Sequence, residues 1–211
     1  KAMTILYNKE IRIERLILGP WESNCYVVSA AKDALIIDTP AVAPKILEAV
    51  RGLTVRFILI THGHSDHLGA LAEVKEALGA PVAVHPKDAH RLPIPPDLLL
   101  EHEKQMPLGS LKLKVIYTPG HTAGSVCFLL GQHLFAGDTI FPNGAGKTNS
   151  PQDFKTIVDS LVKQVFVLPD ETIVYPGHGE GTILGKEKQL FAAFNSRPRQ
   201  ADLCGDVLWV P

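Results

Sequence analysis

Residues 61–67 read Thr-His-Gly-His-Ser-Asp-His and follow directly on an apolar run, Val55 to Ile60. Alternate side chains of extended backbone point the same way, so His62, His64 and Asp66 can face one side of a strand end. Gly63 permits a sharp backbone path between the first two histidines, and Asp66-His67 leads into a helical stretch from Leu68. Four ligand-capable side chains can therefore converge at one place. Imidazole nitrogen and carboxylate oxygen suit zinc, and also iron or manganese, without any thiolate.

Three more strand ends repeat the setting, each delivering one ligand-capable residue beside glycine. His121 follows Thr118-Pro119-Gly120, Asp138 follows Phe135-Ala136-Gly137, and His178 follows Tyr175-Pro176-Gly177. A lone His or Asp near glycine is usually a turn residue; three of them at strand ends can complete the ligand set begun at 62–67.

The order of elements tells what could bring these ends together. Ile11 to Leu18, Cys25 to Ser29 and Ala34 to Asp38 read as strands, rich in Ile, Val or Leu and separated by Gly, Pro, Asn or Asp. Val42 to Val50 has helical spacing, Val55 to Ile60 is a compact strand, Leu68 to Leu78 is a second helix ended by Gly79, and Val82 to His85 is a short strand. Residues 86–108 hold five prolines and read as an irregular excursion that can form part of a substrate rim. Leu111 to Tyr117, Ser125 to Leu130 and His133 to Ala136 return to strands, the last two joined in a hairpin at Gly131-Gln132. Ser150-Pro151-Gln152-Asp153 starts a helix that runs to about Val165, Thr172 to Tyr175 is a further strand, and Leu184 to Asn195 is the last helix. Such an order predicts an α/β (α+β) chain with two sheets face to face and helices outside.

Composition narrows the function classes. The 211 residues are 45% apolar, enough for one substantial core, and we expect a single domain over residues 1–211. A net charge of −1, with no basic stripe, points away from a nucleic-acid backbone or an anionic membrane and towards a small-molecule substrate. Three scattered cysteines, Cys25, Cys127 and Cys204, do not make a disulfide framework and fit a reducing compartment. No apolar run approaches the roughly 18 residues of a membrane span and no signal pattern opens the chain, so a cytoplasmic location is expected. The chain starts at Lys1 rather than Met, which leaves the origin of Lys1-Ala2 open.

Taken with Asn24-Cys25-Tyr26, Ile37-Asp38, Pro119-Gly120-His121-Thr122, Gly137-Asp138-Thr139 and Pro176-Gly177-His178-Gly179, the 61–67 motif resembles the metallo-β-lactamase superfamily. It is most similar to the short glyoxalase II-like (hydroxyacylglutathione hydrolase-like) hydrolases, over about Trp21 to Lys188. The resemblance implies a four-layer αββα sandwich of two mixed β-sheets with metals at one edge. It also implies two divalent ions, zinc first and iron or manganese as alternatives. His62, His64 and His121 would hold one, Asp66, His67 and His178 the second, and Asp138 would bridge them. The reaction implied is cleavage of a small thioester or ester by a metal-bridging hydroxide, with Asp66 orienting the water.

Several details bear on the substrate. Asp stands at 138 where one major group of true β-lactamases has Cys, and the chain lacks the inserted domain of nucleic-acid-processing members. Gly144-Ala145-Gly146-Lys147-Thr148-Asn149 is similar to the segment by which glyoxalase II enzymes hold a glutathione carboxylate, with Lys147 in the binding role. Asn149 departs from the aromatic or acidic residue usual there, and the C-terminal helical domain of the long enzymes is missing. The alternative activities are a persulfide dioxygenase with one iron on His62, His121 and Asp138, and a lactonase or β-lactamase on the same fold. His85, His90, His102 and His133 lie outside the motif and read as surface or structural residues, while Trp21 and Phe141 can line a pocket mouth. The apolar tail, with Leu203, Val207, Leu208, Trp209 and Val210, is expected to dock on its own chain or to make a homo-oligomer contact.

Overall fold

The computed structural model describes residues 3–211; Lys1 and Ala2 lie outside the described residues. The first sheet runs in the order β1 (Thr4–Asn8), β2 (Arg12–Leu18), β3 (Ser23–Ala30), β4 (Asp33–Ile37), β5 (Thr54–Leu59), β6 (Val82–Val84) and β7 (Leu98–Leu99). β1 to β4 pair antiparallel, and the pairs from β4 to β7 are parallel. Its crossovers carry α1 (Ala43–Ala49) and α2 (Leu71–Leu78), the latter stopped by Gly79 in the left-handed region at φ 65°.

The second sheet uses β8 (Gln105–Leu108), β9 (Leu111–Tyr117), β10 (Val126–Leu130) and β11 (His133–Gly137), while β12 (Ile140–Phe141) and β13 (Gly144–Ala145) form a separate hairpin. β14 (Ile173–Pro176) then pairs parallel to β11, and β15 (Thr182–Ile183) closes the edge. α3 (Pro151–Ser160) and α4 (Leu184–Asn195) cover its outer face. At the start of α3 the Ser150 hydroxyl accepts from the Asp153 amide at 3.1 Å, the cap expected from the Ser-Pro-Gln-Asp run.

Alternation explains how each sheet is buried on both faces. Ile37, Leu59, Val115, Phe128, Phe135 and Tyr175 meet between the sheets. Their strand neighbours Ile36, Ile58 and Ile60 pack under α1 and α2, while Ile116, Cys127 and Leu134 pack under α3 and α4. Period-two apolar runs with no polar face are what a sheet covered on both sides requires. The layers are thus helix, sheet, sheet and helix. All three cysteines are free.

Two expectations change. Residues 86–108 are not irregular throughout: Pro86–Arg91 forms a short 3₁₀ helix, Leu98–Leu99 joins the first sheet, and Gln105–Leu108 pairs with β9. Pro107 is tolerated because β8 is an edge strand. α2 also starts three residues later than its periodicity suggests, since Ser65–His67 takes a tight 3₁₀ turn and Gly69 packs under Pro40. Among the described residues no helix is long and apolar enough to cross a membrane.

The tail docks on its own chain. Trp209 is buried between Phe191 and Phe194, and its amide donates to the Asn143 carbonyl at 2.8 Å. Gly205 and Leu208 make bridges to Thr148 and Gly144, so the tail braces the segment that carries Lys147. Trp209→Ala should therefore destabilise the chain by about 3–5 kcal/mol, read as a lower urea midpoint with an unchanged slope.

Candidate metal centre

Where the two sheets end together, the four glycine-flanked turns deliver their side chains into one space. His62, His64 and His121 can place one ligand atom each within 4.8 Å of one another, and so can Asp66, His67 and His178. Asp138 stands between the groups. Its Oδ2 lies 3.5 Å from Nε2 of His121, 3.5 Å from Nε2 of His178 and 3.8 Å from Nε2 of His62, while its Oδ1 lies 3.5 Å from Nε2 of His67. All seven residues singled out from the sequence are thus in one cluster.

Backbone geometry makes this approach feasible. Gly137 turns at φ 49°, aiming Asp138 back across the end of β5. At Gly177 a Cβ would stand 2.1 Å from Asp138 Oδ1 and 2.7 Å from His67 Cε1, so only glycine leaves the carboxylate its place. The 176–179 turn is gripped from the other sheet. Asn24 Nδ2 donates to the carbonyls of Pro176 and Gly179 at 2.9 Å each, and the Tyr26 hydroxyl donates to Pro176 at 2.6 Å.

The imidazoles are oriented by acceptors behind them. Thr61 Oγ1 donates to Asp38 Oδ2 at 2.7 Å, so it receives Nδ1–H of His62 at 3.0 Å. His67 Nδ1 faces Asp38 Oδ2 at 2.9 Å, His121 Nδ1 the Lys147 carbonyl at 2.7 Å, and His178 Nδ1 the Trp21 carbonyl at 3.1 Å. Each backing acceptor takes the Nδ1 proton in a hydrogen bond and leaves Nε2 as the atom aimed at the centre. Nε2 of His62, Nε2 of His121 and Oδ1 of Asp138 are buried with no hydrogen-bond partner among the described residues. Two imidazole nitrogens and a carboxylate oxygen, unpartnered in one buried space, are the kind of donor set a divalent cation completes.

Charge is shared unevenly across the cluster. Burial, then the neighbouring histidines, push His62 well below the ordinary histidine range. Burial opposes charge on His67 too, but the carboxylates of Asp138 and Asp38 beside it outweigh that and raise the group well above that range. Asp138, also opposed by burial, is held well below the usual carboxylate range by the imidazoles of His178 and His67 beside it. His178 is raised to about 9 by Asp138 and then Asp66.

Two residues absent from the sequence-derived site hold it in place. Asp38 is buried at φ 59°, a strained conformation for a residue with a side chain, and also accepts the Thr61 amide at 2.8 Å. Its carboxylate can reach His62 and His67 as a third ligand group, yet both oxygens are spent on Thr61 and Nδ1 of His67, which makes it a backing residue. Asp88, fully buried in the proline-rich excursion, accepts from the Gly63 amide at 2.7 Å, the Thr122 hydroxyl at 2.7 Å and the Gly124 amide at 2.9 Å. One carboxylate thereby ties the 62–64 loop to the 121–124 loop. The four histidines set aside from the site take no part in the cluster; His85 stacks on Tyr117 and His133 bonds Tyr175.

The centre opens to two cavities that share His121. One, of about 310 Å³, is lined by Asp138, His178, Phe141, Lys147 and Leu208; the other, of about 470 Å³, by His64, Lys87, Arg91, Tyr117 and Asn149. Lys147 is thus at the centre's edge, and Phe141 lines the same cavity. Trp21 is 72% exposed and contributes its carbonyl to His178.

A buried His/Asp cluster consistent with a dinuclear metal site, set at the edge of an αββα sandwich, defines the class. The family model described as the metallo-beta-lactamase superfamily matches residues 18–178, and the chain belongs to that superfamily. Similar relatives include the probable metallo-hydrolase YqgX of Bacillus subtilis, 31% identical over 80% of this chain and 90% of its own. The hydroxyacylglutathione hydrolase GloC of Haemophilus influenzae is 28% identical over 89% of this chain and 100% of its own. Among solved structures, the BLEG-1 B3 metallo-beta-lactamase has a TM-score of 0.78 at 30% identity, covering 84% of this chain and 96% of that one. ETHE1 from Myxococcus xanthus has 0.75 at 29%, covering 84% and 81%. TTHA1623 in a di-iron-bound form has 0.72 at 33%, covering 83% and 96%.

Two predictions follow from this geometry. Asp88→Asn keeps the volume but turns an NH₂ towards amide donors; it should cost about 1–3 kcal/mol in urea unfolding and weaken metal retention. Because a ligand imidazole must be neutral, metal uptake at pH 7 must displace the His178 proton held up to about pH 9. Apparent metal affinity should therefore rise with pH from 7 to about 9, measured by competition with a chelating dye; a flat profile would contradict the assigned ligand.

Proposed function

We propose that this chain is a metal-dependent thioesterase, a small-molecule hydrolase that cleaves a thioester or ester of the hydroxyacylglutathione type. The observation that carries the reading is the pair of three-residue clusters joined by one carboxylate, Asp138, with both cavities opening beside it. His62, His64 and His121 would hold one divalent ion, and Asp66, His67 and His178 the other, with zinc our first choice of metal. Two ions so placed would lower the pKa of a shared water towards neutrality and polarise the scissile carbonyl.

The protein's own groups then set direction. Asp66 accepts from Ser23 Oγ at 3.3 Å and lies 3.1 Å from His178 Nε2, which keeps its carboxylate ionised and placed to orient the attacking water. Water oxygen joins the acyl carbon, the carbon–sulfur bond breaks, and the departing thiolate leaves with a proton. Lys147, whose own carbonyl orients His121, has its side chain in the smaller cavity, where it can hold a carboxylate of the thiol carrier. Support for the substrate class comes from the likeness to GloC.

Competing activities predict different metal counts. Purified protein should carry two divalent ions per chain and hydrolyse S-lactoylglutathione. Asp138→Ala should hold at most one ion and lose more than about 100-fold of that activity. The same panel includes acyl-coenzyme A esters, lactones and β-lactams. One iron per chain, with oxygen uptake on a persulfide substrate and no thioester cleavage, would overturn the assignment.

A further inference from the structure

Arg91 and Lys87 stand on the wall of the larger cavity, across His64 and His121 from the side that holds Lys147. Both come from the 3₁₀ helix Pro86–Arg91, which Asp88 anchors to the two ligand loops. The stem of Arg91 lies flat on the 62–64 loop: a Cβ at Gly63 would stand 2.7 Å from Arg91 Cδ. Its guanidinium nevertheless makes no hydrogen bond and no ion pair among the described residues. Lys87 Nζ donates to the Tyr117 hydroxyl at 3.0 Å and sits 5.5 Å from the ring centroid. Tyr117 is itself fixed, donating to the Ala123 carbonyl at 2.8 Å and stacking on His85.

Among the described residues neither cation makes an ion pair. Asp88 spends its two oxygens on Gly63, Thr122 and Gly124, and Asp153, on the opposite rim, accepts from Ser150 Oγ at 2.8 Å. Asn149 and Thr156 add neutral polar groups to the same rim. A planar guanidinium and an ammonium on residues that line one cavity, neither in an ion pair among the described residues, form a receptor for a carboxylate.

We propose that this cavity is a carboxylate subsite, in which Arg91 and Lys87 receive a carboxylate carried on the acyl part of the substrate. The assignment to the acyl part rests on the thioester reading above. With the thiol carrier on the Lys147 side and the carbonyl at the centre, the acyl chain extends past His64 towards Arg91. The preferred substrates are then thioesters of dicarboxylic acids, with a negative charge at each end.

Thioesters of N-acetylcysteamine isolate the acyl side, because this thiol carries no charge for Lys147 to bind. Glutaryl- and hexanoyl-N-acetylcysteamine are compared on the metal-loaded wild type, on Lys87→Ala and on Arg91→Met, which keeps the stem over Gly63. We expect kcat/KM about tenfold higher for the glutaryl ester, expressed mainly in KM. That ratio should shrink several-fold in each variant and fall further as salt is added. Equal turnover of both esters by the wild type would overturn the subsite while leaving the thioesterase reading intact. If neither ester is cleaved, titration with glutarate followed by the amide signals of residues 63, 91 and 120–123 decides the subsite alone, while turnover of S-lactoylglutathione still decides the thioesterase reading. Shifts that saturate in the wild type and vanish in the doubly substituted Lys87→Ala, Arg91→Met protein support it; shifts identical in both overturn it.

Discussion

Asp138 places a carboxylate where the imidazoles of His62, His67, His121 and His178 already converge, and the rest of the site answers to that crowding. A buried carboxylate is costly unless its charge is met, and a buried imidazole is costly unless both nitrogens are served. The protein meets half of this demand itself. Behind four of the histidines stands an acceptor, and in front stands a carboxylate shared among them. What is left over is a set of lone pairs with no donor to satisfy them, which is why the cluster reads as chemistry and not as packing.

The scaffold supplies this arrangement by ending strands of two different sheets at one edge. β4 and β5 bring Asp38 and the 61–67 run from the first sheet; β9, β11 and β14 bring His121, Asp138 and His178 from the second. Neither sheet owns a complete cluster. The grip of Asn24 and Tyr26 on the 176–179 turn, and of Asp88 on two loops, converts the meeting of two edges into a defined geometry. Loops carry the ligands, while buried polar residues on neighbouring elements set where the loops lie.

Much of this was legible in the sequence because it is local. The 61–67 motif and the glycine before each of His121, Asp138 and His178 advertise both a ligand-capable residue and the turn that aims it, and the structure brings all seven side chains into one cluster. Period-two apolar runs likewise located most central strands. Asp38 and Asp88 were not legible as site residues, since their work depends on partners 23 to 36 positions away. Only the Ile37-Asp38 strand end hinted at the first; the second lay hidden among prolines. The short edge strands β1, β7 and β8 escaped for a related reason: two to five residues carry too little alternation to separate a strand from a loop.

His67 and His178 approach to 3.3 Å between their Nε2 atoms although 111 positions separate them along the chain. Seen as polymer physics, a cation held by both is a removable cross-link that closes a very long loop. Closure entropy grows only logarithmically with loop length, so such a link costs little more than one spanning a short hairpin. It would also tie the loop after β5 in the first sheet to the turn after β14 in the second. A chain so linked would store part of its cohesion in its cofactor, and the supply of metal would become a setting of its mechanical integrity as well as of its chemistry.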